Sequence, residues 1–257
     1  MPRQARKKSE SGIYHIILRG NNRQIIFKDE EDQHRFLQTL KRYKGISGYE
    51  LYAYCLMGNH VHLLLRSGKE SLEQVMRRLC SSYVHWYNKK YERIGNLFQD
   101  RFKSEPVEDD AYFLIVLRYI HRNPCQAGLI NDIAAYPWSS YRAYLKENSK
   151  QTSLVDVDFG LNMFGEDHNE SIKRFADYHE ERGDDICLEV EEIRGFTDLE
   201  AQEIIQALCQ INSCSELQQL DSKQRDGYLK QLKEEYNLSV RQIERLTGVS
   251  RSVISRA

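Results

Sequence analysis

No apolar run in the 257-residue chain approaches the roughly 18 residues a membrane span needs, which argues against an integral membrane protein. The opening MPRQARKKSES has no apolar stretch behind its basic residues and predicts no secretory signal. Six cysteines (Cys55, Cys80, Cys125, Cys187, Cys209, Cys214) form no C-x-x-C pair and no zinc spacing, so they read as reduced thiols of a cytoplasmic protein. Internal repeats and low-complexity tracts are missing as well.

What is present describes an ordinary soluble chain, 40% hydrophobic and 29% charged, long enough for one large domain or two small ones. Its net charge of -1 conceals an asymmetry. Residues 1–150 hold 25 Lys and Arg against 16 Asp and Glu, residues 151–222 hold 4 against 18, and residues 223–257 hold 8 against 4. Two basic regions around an acidic middle fit two nucleic-acid-binding modules joined by a segment that avoids phosphate, although a basic face is often merely solvated.

Residues 13–19 (IYHIILR) are β-branched and aromatic and predict a strand ended by Gly20-Asn21-Asn22. Helical spacing follows from Asp29 to about Tyr43, with Gly45 and Gly48 as stops. Runs 49–57 and 60–66 read as two strands of a hairpin around Gly58-Asn59. Ser71 caps a helix to about Tyr91, residues 97–108 hold a short strand ended by Pro106, and a third helix runs from Asp109 to Arg122, halted by Asn123-Pro124. This order predicts an α+β fold: a ferredoxin-like antiparallel sheet with helices on one face over residues 1–145. Residues 146–182 read as a linker, and 183–257 as a small all-α domain.

His60 and His62 are two apart on a strand, so both imidazoles leave the same sheet face, as a divalent metal requires. Incidental histidines on a half-solvated face are the plainer reading of that pair alone. Tyr119 and Asn123 lie a turn apart on one helix face. If that helix packs near the hairpin, Tyr119 serves as a nucleophile and Asn123 as a third ligand. Otherwise they are a core aromatic and a helix cap. His121 falls on another face and is not expected to be a ligand.

Taken together, GNHVHLLL (58–65), LFQDRFKS (97–104), YIHRNPCQAGL (119–129) and YPWSSY (136–141) resemble the single-tyrosine transposases with a His-hydrophobic-His motif. The likeness spans roughly residues 3–145 and is nearest to the branch associated with short palindromic repeats, the REP-associated tyrosine transposases. It implies Mg2+ or Mn2+ on His60 and His62, and Tyr119 as the residue that joins to DNA through a 5'-phosphotyrosine. Asn123 stands where the insertion-sequence branch often has glutamine; its amide is one methylene shorter, so ligation by it is less secure. The resemblance further implies single-stranded or hairpin DNA as partner, a nucleoid location, no nucleotide cofactor, and either a monomer or a homodimer that exchanges the tyrosine helix.

Arg3, Arg6, Lys7 and Lys8 form a basic arm suited to phosphate, and Arg19, Arg23, Arg77, Arg78, Arg101 and Lys103 are candidates to line the DNA path. Tyr83, Trp86 and Tyr87 offer stacking surfaces unless, as their helical spacing suggests, they are core. At the other end, SVRQIERLTGVSRSVISRA (239–257) reads as a helix-turn-helix, with Arg251, Ser252, Ser255 and Arg256 facing DNA from the second helix. A plain helical hairpin is the alternative there. For the whole chain, the rivals to a strand transferase are a DNA-binding regulator that keeps the fold without catalysis and a metal-dependent nuclease using water.

Overall fold

In the computed structural model the β-branched run forms β1 (Ile13–Arg19), followed by α1 (Glu30–Ser47), β2 (Glu50–Met57), β3 (His60–Arg66), α2 (Leu72–Lys90), β4 (Lys103–Pro106) and α3 (Asp110–Gln126). Shorter helices come next, α4 (Tyr141–Tyr144) and α5 (Val157–Leu161), then α6 (His168–Glu180), α7 (Asp198–Cys209), α8 (Ser222–Glu234), α9 (Val240–Thr247) and α10 (Arg251–Arg256). The structure describes residues 6–99, 101–145, 154–181, 187–188, 198–236 and 238–257. Arg3 of the basic arm and most of the acidic stretch 183–197 lie outside the described residues.

The strands lie in the order β2-β3-β1-β4, each antiparallel to its neighbour, which is the ferredoxin-like arrangement expected. Directly opposed residues share a face, so His60 and His62 of β3 lie on the side of Arg19, Ile17 and His15 of β1, with Lys103 and Glu105 of β4. Helices α1 and α2 pack on each other through Phe36 and Tyr83, and Met76, Cys80 and Val84 of α2 line one groove with Leu18 on the other side of β1. One-faced placement thus holds for α1 and α2. The added helix α3 takes the histidine face, where Tyr119 meets His15 and His62.

Local chemistry set most boundaries where they were expected. Asp29 closes a capping box on α1, and Ser71 and Asp109 cap α2 and α3. Three limits moved. Gly45 does not stop α1, because one glycine costs only about 1 kcal/mol in a helix interior; the helix ends at Gly48, which takes a φ of +65°. Pro124 lies inside α3, which runs on to Gln126 because the Ala127 and Leu129 N–H groups find the Asn123 and Pro124 carbonyls. The strand expected over 97–108 contracts to Lys103–Pro106. Adjacent Leu97 and Phe98 are both buried, which a one-sided strand cannot achieve, and only a bridge from Phe98 to Gly20 remains upstream.

The larger correction concerns 146–182. Contacts divide the chain into units 1–188 and 189–257, and the described part of the expected linker belongs to the first. Leu154, Val155, Leu161 and Phe175 are buried in the same core as the sheet. Phe175 stacks on Tyr144 (centroids 4.6 Å) and lies 4.0 Å from the His179 ring. A buried relay ties α6 to α3. His179 Nδ1–H donates to the Phe175 carbonyl (2.8 Å), His179 Nε2 accepts from His121 Nδ1–H (3.0 Å), and His121 Nε2 accepts from the Ser140 hydroxyl (2.8 Å).

Burial, with Arg118 and Arg122 adding their positive charge, holds His179 down at about 3, and burial beside His179 holds His121 well below the imidazole range. Both rings are therefore neutral in the fold, while the unfolded chain protonates them near 6.5. The stability they permit is complete above that value and falls as pH drops below it, by at most about 2.7 kcal/mol per pH unit for two protons. Urea midpoints followed by fluorescence of Trp86 and Trp138 should accordingly fall between pH 7.5 and 5.0.

The second unit has its own core of Ala201, Ile205, Leu217, Leu229, Leu232, Ile243 and Ile254. Ser239 caps α9, Gly248 ends it at φ +75°, and Ser250 precedes α10. The buried Thr247 hydroxyl donates to the Ile243 carbonyl and accepts from Val249 N–H, fixing the turn. No helix among the described residues is long and apolar enough to cross a membrane.

Candidate active site

The histidine face of the sheet carries three rings in a row. His60 and His62 have centroids 5.0 Å apart on β3, and His62 lies 5.4 Å from His15 on β1. Tyr119 descends from α3 onto this group, edge-on to His62 at 5.6 Å and to His15 at 5.8 Å. Asn123 follows one turn later, half-buried. The structure thus brings His60, His62 and Tyr119 of one chain together, although His60 and Tyr119 are 59 positions apart in sequence.

Hydrogen bonds fix the group from behind. His62 Nδ1 lies 3.1 Å from His15 Nε2, and His15 Nδ1 lies 2.8 Å from Glu105 Oε1. The Leu188 N–H donates to the same carboxylate oxygen at 2.8 Å. Burial works against ionisation of Glu105, but the bonds from His15 and Leu188 outweigh it and hold the carboxyl below its usual range. On the hairpin side, His60 Nδ1 meets Asn59 Oδ1 at 2.6 Å.

Burial, with the His60 and His15 rings adding to it, keeps His62 well below the ordinary imidazole range. Neutral imidazole is the form that ligates a metal. Two imidazoles side by side suit a divalent ion that completes its shell with phosphate oxygen and water, and nitrogen donors suit Mn2+ better than Mg2+.

His15 and Glu105 were missed by sequence reasoning. His15 carried a weak signal, as the one polar residue within an apolar strand interior. Glu105 carried none, because its place opposite His15 follows from the β1–β4 register alone.

A second feature lies on the other face of the sheet. Arg6, Arg77 and Arg101 surround a groove of about 680 Å³ that also presents Ser71, Gln74, Asn96, Phe98 and Phe102. The Arg6 guanidinium stands 3.7 Å over the Phe102 ring and bonds its carbonyl at 3.0 Å. Lys7 and Lys8 are exposed beside a smaller adjoining cleft. Arg19 and Lys103 sit on the histidine face instead, and Arg23 in the loop after β1 lines neither cavity. Arg78 is turned elsewhere, clasped by both oxygens of Glu70 at 2.9 and 2.7 Å. Tyr83 and Tyr87 are core, their hydroxyls donating to the Ile26 and Ile25 carbonyls, and offer no stacking surface. In the second unit Arg251, Ser252, Ser255 and Arg256 are exposed, with Arg251 paired to Glu244.

A ferredoxin-like sheet with a histidine pair on a central strand, faced by a tyrosine from the helix after the sheet, is the arrangement that the resemblance of the sequence motifs implies. Residues 8–123 match the family described as "Transposase IS200 like". A Haemophilus influenzae protein described as a REP-associated tyrosine transposase is 26% identical over 123 residues, covering 43% of this chain and 67% of that one. Among solved structures, a REP-associated tyrosine transposase bound to a REP hairpin aligns with a TM-score of 0.49 at 17% identity, over 62% of this chain and 90% of that one. A Deinococcus radiodurans protein described as a transposase aligns with a TM-score of 0.34 at 19% identity, over 51% and 97%.

Proposed function

We propose that this chain is a transposase that cleaves and rejoins single-stranded, hairpin-containing DNA through a covalent bond to Tyr119. The reading is carried by the approach of the Tyr119 ring to within 5.6 Å of His62, on the sheet face that bears both motif histidines. His60 and His62, with Asn123 alongside, would hold one Mg2+ or Mn2+ ion. When bound, such an ion offsets the negative charge that develops on the non-bridging oxygens of the scissile phosphate.

The chemistry of the chain's own residues follows. A free phenol has a pKa of ~10, so Tyr119 needs the site to ease loss of its proton. Its oxygen forms a bond to phosphorus, the bond from phosphorus to the 3'-oxygen breaks, the phenolic proton leaves, and the 3'-oxygen takes one up. A 3'-hydroxyl attacking the phosphotyrosine reverses these changes and rejoins the strand. The bond energy is kept in the phosphotyrosine, so no nucleotide cofactor enters. The meeting of Tyr119 and the histidines within one chain supports catalysis in cis.

Incubation with single-stranded hairpin DNA and Mn2+, resolved on a denaturing gel, tests this reading. A covalent adduct at Tyr119 is expected. Binding without any cleavage would make the chain a regulator.

The Arg6, Arg77 and Arg101 groove is the proposed path for unpaired backbone, with Phe98 and Phe102 beside it for base contact. Reversing Arg77 and Arg101 to glutamate should weaken single-strand binding about tenfold or more. It should also flatten the slope of log affinity against log salt by roughly 1.4, about 0.7 for each lost phosphate contact. Filter binding at several salt concentrations measures both. In the second unit, α10 is proposed to enter a major groove with Arg251, Ser252, Ser255 and Arg256 toward DNA, which accords with a nucleoid location.

A further inference from the structure

Glu105, His15 and His62 form one line of hydrogen bonds, each link crossing from one strand to the next. Glu105 of β4 lies opposite His15 of β1, and His15 reaches diagonally to His62 of β3. The His15 and His62 side chains are buried, so water does not compete for these contacts. The line has a direction. An ionised carboxylate only accepts, so the proton of His15 is on Nδ1, the atom 2.8 Å from Glu105. Where His15 holds that proton alone, its Nε2 is an acceptor. His62 must donate to it from Nδ1 across 3.1 Å, which leaves the lone pair of His62 on Nε2.

We propose that His15 and Glu105 are positioning residues for His62. The Glu105 carboxylate, acting through His15, commits His62 to the tautomer protonated at Nδ1 and so keeps its Nε2 available as a ligand. Neither residue touches DNA in this scheme. Their action is through the ring between them and the site, as outer hydrogen-bond partners generally act on a ligating histidine. Without the carboxylate the line can reverse. His15 then donates from Nε2 to His62 Nδ1, and His62 carries its proton on Nε2, where no cation can bind.

The inference rests on the reading of His62 as a metal ligand, and two measurements on the full chain separate the two ideas. Ring 1H–15N correlation spectra of histidine-labelled, metal-free protein at pH 7.5 report the His62 tautomer directly, with the resonance assigned from His62→Ala. Mn2+ titration, followed by the loss of free-ion signal in electron paramagnetic resonance, reports the affinity. Wild type should show His62 protonated at Nδ1. Glu105→Gln, whose amide can either donate or accept, should mix the two tautomers and weaken Mn2+ binding by roughly 10- to 100-fold.

A wild-type His62 protonated at Nε2 overturns the proposal, and this measurement needs no variant to fold. So does a Glu105→Gln protein with the wild-type tautomer and affinity, which would leave the metal reading intact. If wild type binds no Mn2+ yet its His62 tautomer depends on Glu105, the positioning role stands and the metal reading falls.

Discussion

Replacing Tyr119 with phenylalanine is expected to abolish the covalent protein–DNA adduct and to slow strand cleavage on the order of 10⁴-fold or more, the usual penalty for removing a nucleophile. The substitution isolates the hydroxyl. Tyr119 is 5% exposed and its ring packs edge-on to His15 and His62, contacts that a phenyl ring keeps. Loss of one hydrogen-bonding group costs about 1 kcal/mol in stability, too little to unfold the domain. Hairpin binding should stay close to wild type in a gel-shift assay while the adduct disappears from the denaturing gel. Cleavage at the wild-type rate in the phenylalanine protein would overturn the covalent mechanism in favour of attack by water.

Phe175→Ala should destabilise the first unit by about 3–5 kcal/mol, the range for deleting a buried aromatic side chain. Phe175 is fully buried, stacked on Tyr144 and Tyr141 and against His179. In a unit of this size that loss lowers the melting temperature by roughly 10 °C. Activity should fall with it near the melting range, because α6 holds α3 through the His179–His121 bond, and His121 is two residues from Tyr119. Both tryptophans lie in the first unit, so their fluorescence follows its unfolding. An unchanged melting curve would mean that residues 146–182 behave as the linker their composition suggests.

That composition misled for an identifiable reason. Residues 154–180 are polar overall, but Leu154, Val155, Leu161 and Phe175 are buried in the core, and His179 is buried against His121 of α3. A short amphipathic helix with a single large anchor gives little periodic signal, and its partner surface on α3 and α4 is not adjacent in sequence. The short strand β4 was blurred in the same way, since its four residues are held in place by pairing with β1 more than by any strand preference of Lys103, Ser104 or Glu105. By contrast, β1, the β2–β3 hairpin and the capped starts of α1, α2 and α3 were legible, because alternation, turn residues and caps act over a few neighbours.

The DNA-facing candidates divide along the same line. Arg6, Arg77 and Arg101 are distant in the chain, and only packing of α2 against the β1–β4 side gathers them around one groove. Arg78 differs from Arg77 by one position, which on a helix is about 100° of rotation, enough to hand it to Glu70.

By itself the sequence determined that two imidazoles leave one strand on one side, that a tyrosine and an amide share one helix face, and where most elements begin. These are consequences of periods of two and 3.6 residues and need no knowledge of the rest of the chain. Only the tertiary structure decided that α3 lies on the histidine face and that Glu105 reaches His62 through His15. It alone made α6 part of the first unit. Each of these depends on strand register and on which surface a helix buries, quantities set by the free energy of the whole core and not by any local run of residues.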